Sequence, residues 1–138
     1  AVHSLRTGRF LTGQSALVLG AGPIGLATIE ALKAAGASLV IVMQRKSVRQ
    51  DYALRAGADI VIDPNEVNVA EEVKRLTGGV GADISFETTG SNRAQTLPAF
   101  HEGAFLRRTF VSTVNIGTNP CFYQTLNRYP TPQIVSIY

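Results

Sequence analysis

Short unbroken apolar runs alternate along this chain with stretches whose apolar residues recur at helical spacing. Residues 15–19, Ser-Ala-Leu-Val-Leu, form the first such run, and residues 38–43 form the second. Runs of this length, apolar on both sides and bounded by turn residues, predict fully buried strands. Between them, residues 23–35 place Ile24, Ala27, Ile29 and Leu32 on one helical face, with Gly36 as the stop. The alternation continues with a helix over 48–56 stopped by Gly57, a strand over 59–62 closed by Asp63-Pro64, a helix over 68–76 ended by Thr77-Gly78-Gly79, and a strand over 82–87 closed by Thr88-Thr89-Gly90. Residues 1–9 read as the tail of a helix, ended by Gly8 and followed by a turn at Thr12-Gly13-Gln14. A chain that opens inside an element is expected to be a fragment of a longer protein.

Beyond Gly90 the pattern weakens. Residues 92–100 have helical character interrupted by Pro98. A fifth strand is expected over 109–114. Residues 118–132 are turn-rich and carry Pro120, Pro130 and Pro132, and residues 133–138 alternate like a last strand at a sheet edge. Strand and helix alternating in this way predict a parallel sheet with crossover helices.

One junction carries chemistry. Gly20-Ala21-Gly22-Pro23-Ile24-Gly25 follows the first strand directly and opens the first long helix. G-x-G-x-x-G alone is a weak pattern, but inside a strand–helix–strand unit it is the fingerprint of a dinucleotide-binding turn. Gly20 permits the sharp exit from the strand, Gly22 lets a pyrophosphate approach the backbone, and Gly25 lets the helix pack closely on the strand. Pro23 falls at the helix start, where its missing N–H costs little. The fold expected is therefore α/β: a doubly wound parallel sheet of the Rossmann type, about six strands with helices on both faces, in one domain over residues 1–138. A tight turn without a ligand and a methyltransferase-like glycine loop are the alternatives.

The tip of the second strand bears on which dinucleotide. In such units an acidic residue about 20 positions after the glycines accepts hydrogen bonds from the adenosine ribose. Here that place falls to Gln44, followed by Arg45 and Lys46, with Arg49 one helical turn later. A carboxylate repels a 2′-phosphate. Glutamine does not, and neighbouring cations attract it. The pattern favours NADP(H), with NAD(H) as the alternative and ordinary solvated charges as the plain reading of Arg45 and Lys46.

Composition changes this picture little. At 45% hydrophobic and 17% charged residues the chain has an ordinary globular make-up, and its single cysteine, Cys121, excludes an internal disulfide and a multi-cysteine zinc site. The net charge of +3 concentrates at Arg45-Lys46-Arg49 and Arg107-Arg108 without a nucleic-acid recognition motif, so no nucleic-acid partner is expected. The most apolar stretch, 15–43, carries Glu30, Lys33 and several glycines, which argues against a membrane span. Cysteine usage suits a cytoplasmic protein.

The order from His3 through Gly13-Gln14-Ser15-Ala16-Leu17-Val18-Leu19 to the glycine turn resembles the medium-chain, zinc-dependent alcohol and polyol dehydrogenases, sorbitol, butanediol and threonine dehydrogenases among them. Ala53-Leu54-Arg55-Ala56-Gly57-Ala58-Asp59 and Gly81-Ala82-Asp83-Ile84-Ser85-Phe86-Glu87-Thr88-Thr89-Gly90 carry the same resemblance, which is firm to about residue 93 and loose beyond. It implies the cofactor domain of a longer enzyme whose catalytic domain supplies the zinc. His3, His101 and Cys121 do not match the family's zinc ligands, so neither a metal site nor catalytic residues are expected in this chain. By the same resemblance Gly22, Pro23 and Ile24 would contact the pyrophosphate, Gln44 would replace the ribose-binding acid, and Arg49 would lie beside the adenosine ribose. Thr88, Thr89 and Gly90 would line the adenosine side of the cleft, and Val114, Asn115 and Ile116 would pass near the nicotinamide. The family's Gly-Gly turn before the fifth strand falls either on Arg107-Arg108 or on Glu102-Gly103. Residues 133–138 would offer an edge for a homodimer.

The expected function is that of an NADP(H)-binding domain of an oxidoreductase, moving hydride between an alcohol or polyol and the nicotinamide. This segment alone is expected to be inactive. A stand-alone nucleotide-binding sensor or interaction module is the alternative.

Overall fold

The structure is a computed structural model, and it describes residues 1–90, 106–112 and 135–136. Four helices and four strands alternate over the first 90 residues: α1 (Val2–Thr7), β1 (Ser15–Leu19), α2 (Pro23–Ala34), β2 (Leu39–Met43), α3 (Val48–Arg55), β3 (Ile60–Ile62), α4 (Val69–Leu76) and β4 (Ala82–Glu87). All pairings are parallel, and two further backbone segments, β5 (Leu106–Ser112) and β6 (Val135–Ser136), extend the sheet in the order β3-β2-β1-β4-β5-β6. The α/β architecture expected from the alternation is the one observed.

The apolar runs are buried on both sides. Ala16 and Val18 of β1, Val40 and Val42 of β2 and Ile84 and Phe86 of β4 face Leu5, Ile29, Leu32 and Ala53 from α1, α2 and α3. Leu17, Leu19, Ile41, Met43 and Ile62 face the other way, onto Val69, Ala70 and Val73 of α4. Period-two alternation thus divides β1 and β2 between two cores, which is why these runs show no polar face.

Several boundaries differ from the expected ones for visible reasons. Asp59 lies just outside β3; its N–H donates to Val40 O (3.0 Å) while its carboxylate accepts the Val40 N–H (2.7 Å) and the Lys33 ammonium (2.9 Å). Asn68 precedes α4 as its N-cap, accepting from Ala70 and Glu71 N–H groups. Ala35 and Ala56 are the residues just past α2 and α3. β5 starts three residues earlier than expected, with an irregularity where Ala82 pairs with Leu106 but Ile84 with Thr109. The expected helix over 92–100 and the turn-rich stretch 118–132 lie outside the described residues.

Strand order reverses at β1, with β2 on one side and β4 on the other. In open parallel sheets the crevice beyond the carboxyl ends of the strands at such a reversal is the usual ligand position. The glycine turn leaves β1 at that point.

Candidate nucleotide site

The turn is fixed by its glycines and by the strands beside it. Gly20 has φ +97°, a left-handed conformation that favours glycine, and its N–H still donates to Met43 O (2.9 Å), extending the β1–β2 ladder. A Cβ on Gly25 would lie 2.1 Å from Gly20 O, so no other residue fits where α2 meets the strand end. Gly22 is the contrast. It is the extended N-cap of α2, and a Cβ there would meet nothing within 4 Å. The turn is thus packed at Gly20 and Gly25 and open at Gly22, beside the first N–H groups of α2, which have no acceptor within the helix. Pro23 and Ile24 are exposed there.

The tip of β2 is tied down from three sides. Gln44 Oε1 accepts the Ala21 N–H (2.9 Å), and Gln44 Nε2 donates to Arg45 O (3.1 Å). Gln50 Nε2 donates to Gln44 O (2.8 Å). Ser47 Oγ caps α3 at Arg49 N–H and also donates to Arg45 O. The Lys46 N–H donates to the buried carboxylate of Asp63, whose other oxygen accepts from Asn65 N–H. On this fixed backbone Arg45, Lys46 and Arg49 extend into solvent.

The end of β4 closes the other side of the turn. The Thr88 hydroxyl donates to Leu19 O (2.8 Å), is 3.2 Å from Gly20 O, and is buried. Glu87 is fully buried, and its Oε1 accepts from both the N–H and the hydroxyl of Thr89. Gly90 follows with φ +65°.

A glycine turn with an open second glycine, at the reversal of a parallel sheet and beside a cationic strand tip, suits a phosphate-bearing ligand. Residues 23–100 match the family described as zinc-binding dehydrogenase. The chain belongs to that family. It is 50% identical over 82 residues to (R,R)-butanediol dehydrogenase of Neisseria gonorrhoeae, covering 59% of this chain and 23% of that one. It is 43% identical over 84 residues to L-threonine 3-dehydrogenase of Pyrococcus horikoshii, covering 61% and 24%. Among solved structures it resembles the 2R,3R-butanediol dehydrogenase from Bacillus subtilis, with a TM-score of 0.71 and 33% identity over 81% of this chain and 31% of that one. The chain thus matches about a quarter to a third of the length of these relatives.

In this chain the fold brings the expected residues together in part. Gly20, Gly22, Pro23, Ile24 and Gly25 share one turn with Gln44, through its bond to Ala21, and with Thr88, which packs under the turn. Arg45, Lys46 and Arg49 stand on the adjoining tip. Val114, Asn115 and Ile116 lie outside the described residues, as do His101 and Cys121. Arg107 and Arg108 lie within β5. Among the described residues no three His, Cys, Asp or Glu side chains are grouped to hold a metal ion, and no helix is long and apolar enough to cross a membrane. From the sequence, Asp63 reads only as a strand stop. Its hold on Lys46 is a contact across 17 residues, and the Asp-Pro punctuation was its one signal.

Proposed function

We propose that the chain is the NADP(H)-binding domain, over residues 1–138, of a longer alcohol or polyol dehydrogenase. The observation that carries this reading is the open Gly22 at the start of α2 beside the fixed tip bearing Arg45, Lys46 and Arg49. The backbone at Gly22 and Ile24 receives the pyrophosphate, aided by the helix dipole. Arg45, Lys46 and Arg49 supply charge for a 2′-phosphate, and the absence of a carboxylate at position 44 leaves that phosphate unopposed. Thr88, Thr89 and Gly90 border the adenosine side, and Val114, Asn115 and Ile116, outside the described residues, are assigned to the nicotinamide side by the family resemblance alone. Bound cofactor supplies or accepts the hydride. This chain's residues bind and orient it.

Zinc, substrate contacts and catalytic groups belong to the remainder of the longer enzyme, which acts in the cytoplasm, and the sequence of residues 133–138 offers a pairing edge between two copies. Calorimetric titration with NADPH and NADH tests the cofactor assignment. NADPH is expected to bind more tightly, and equal or tighter NADH binding overturns the reading of Gln44-Arg45-Lys46.

A further inference from the structure

We propose that Gln44 is a strut for the glycine turn, holding Ala21 in place, and that it is not the group that reads the adenosine ribose. The proposal rests on the nucleotide reading above. Ala21 is only 1% exposed, and its N–H needs an acceptor inside the protein. Gln44 Oε1 is that acceptor at 2.9 Å, across 23 residues. Three further groups of Gln44 are engaged: Nε2 donates one N–H to Arg45 O, the backbone N–H donates to Ile62 O (2.9 Å), and the carbonyl accepts from Gln50 Nε2. Ala21 N–H is a donor and Arg45 O an acceptor, so only one orientation of the amide satisfies both.

An amide has a single acceptor oxygen, and here it faces the turn. A carboxylate at this position has two: one for Ala21 and one for a ribose hydroxyl. The carboxylate, however, would face Arg45 O with no donor and would repel a 2′-phosphate. Glutamine therefore keeps the turn braced and leaves the reading of the adenosine end to Arg45, Lys46 and Arg49. The same bond joins the tip of β2 to the pyrophosphate turn, so the two halves of the site hold a fixed spacing before any ligand arrives.

The test uses the full chain and two variants, Gln44→Leu and Gln44→Glu. Amide hydrogen exchange at Ala21 is followed by NMR without ligand, with Val18 in the core of β1 as the internal control, and ADP binding is measured by calorimetry. In Q44L, exchange at Ala21 is expected to quicken about tenfold while Val18 is unchanged, and ADP to weaken about tenfold, the scale of one lost hydrogen bond. Q44E restores an acceptor for Ala21 and is expected to slow exchange there below the Q44L rate, short of the wild-type value because its second oxygen faces Arg45 O. Unchanged exchange at Ala21 in Q44L, equal quickening at Val18, or exchange at Ala21 in Q44E as fast as in Q44L overturns the strut. Failure of the wild-type chain to bind ADP overturns the nucleotide reading itself, and is told apart because the exchange comparison needs no ligand.

Discussion

The Lys46 N–H donates to Asp63 Oδ2 at 2.7 Å, so the end of β3 fixes the backbone that presents the cations at the end of β2. Asp63 is buried, and each of its oxygens receives a backbone N–H. Replacing it with alanine leaves the Lys46 and Asn65 donors without their acceptor. Asp63→Ala is expected to lower stability by about 1–3 kcal/mol, read from urea unfolding. It is also expected to narrow the preference for NADPH over NADH, because Arg45 and Lys46 lose their fixed base. Asp63→Asn, which keeps one acceptor oxygen, should fall between the two.

The two glycines flanking Pro23 and Ile24 predict opposite phenotypes. Gly25→Ala drives a Cβ to 2.1 Å from Gly20 O and should prevent α2 from seating on β1, seen as a large loss of melting temperature. Gly22→Ala meets no atom within 4 Å and has φ −78°, which any residue adopts. Its stability should stay within about 0.5 kcal/mol of wild type. Its new methyl group stands where a pyrophosphate would approach, so NADPH affinity should fall in a chain that is otherwise intact. Unimpaired binding by the folded Gly22→Ala chain would remove the turn from the site.

Arg45 and Lys46 should act on the phosphorylated cofactor alone. The double alanine variant is expected to weaken NADPH by about 1–3 kcal/mol in calorimetry and to leave NADH within error. Equal losses for both cofactors would mean that the two cations serve the site in general and do not select the 2′-phosphate.

Acid sensitivity should trace in part to Asp59. Burial raises its pKa, but the hydrogen bond from Lys33, the Val40 N–H and the charge of Lys33 together outweigh burial and hold the carboxyl below its ordinary value of 3.8. A depressed folded-state pKa stabilises the protein above the unfolded value and is lost as pH falls through the folded one. Asp59→Asn should therefore cost stability at neutral pH, and the difference from wild type should shrink below about pH 4. The pair is about one-third exposed, so added salt should also reduce the difference. Urea midpoints across pH 2.5–7 check both.

What was legible in the sequence was what depends on near neighbours. β1 and β2 are read from unbroken apolar runs because both of their faces are covered, by α1, α2 and α3 on one side and α4 on the other. The glycine turn is read because a left-handed Gly20 and a contact as close as Gly25 on Gly20 O each demand glycine. Gln44 illustrates the limit. Counting places it at the tip of β2, but its partner Ala21 is 23 residues away, and spacing does not reveal which side chain a backbone N–H will meet. Asp59 illustrates another: the contacts of its carboxylate with Val40 and Lys33, 19 and 26 residues away, leave no mark in its apolar neighbours.

The exposed cations on the rigid tip also bear on time. Their field reaches about 8 Å at physiological ionic strength, farther than any hydrogen bond of the turn. On the proposed reading, an incoming polyphosphate is drawn first to Arg45, Lys46 and Arg49 and settles afterwards onto the backbone at Gly22. Capture should slow as salt rises, while residence, governed by short-range contacts in the turn, should change much less. One site would then have an entry speed set by its surface and an exit speed set by its glycines.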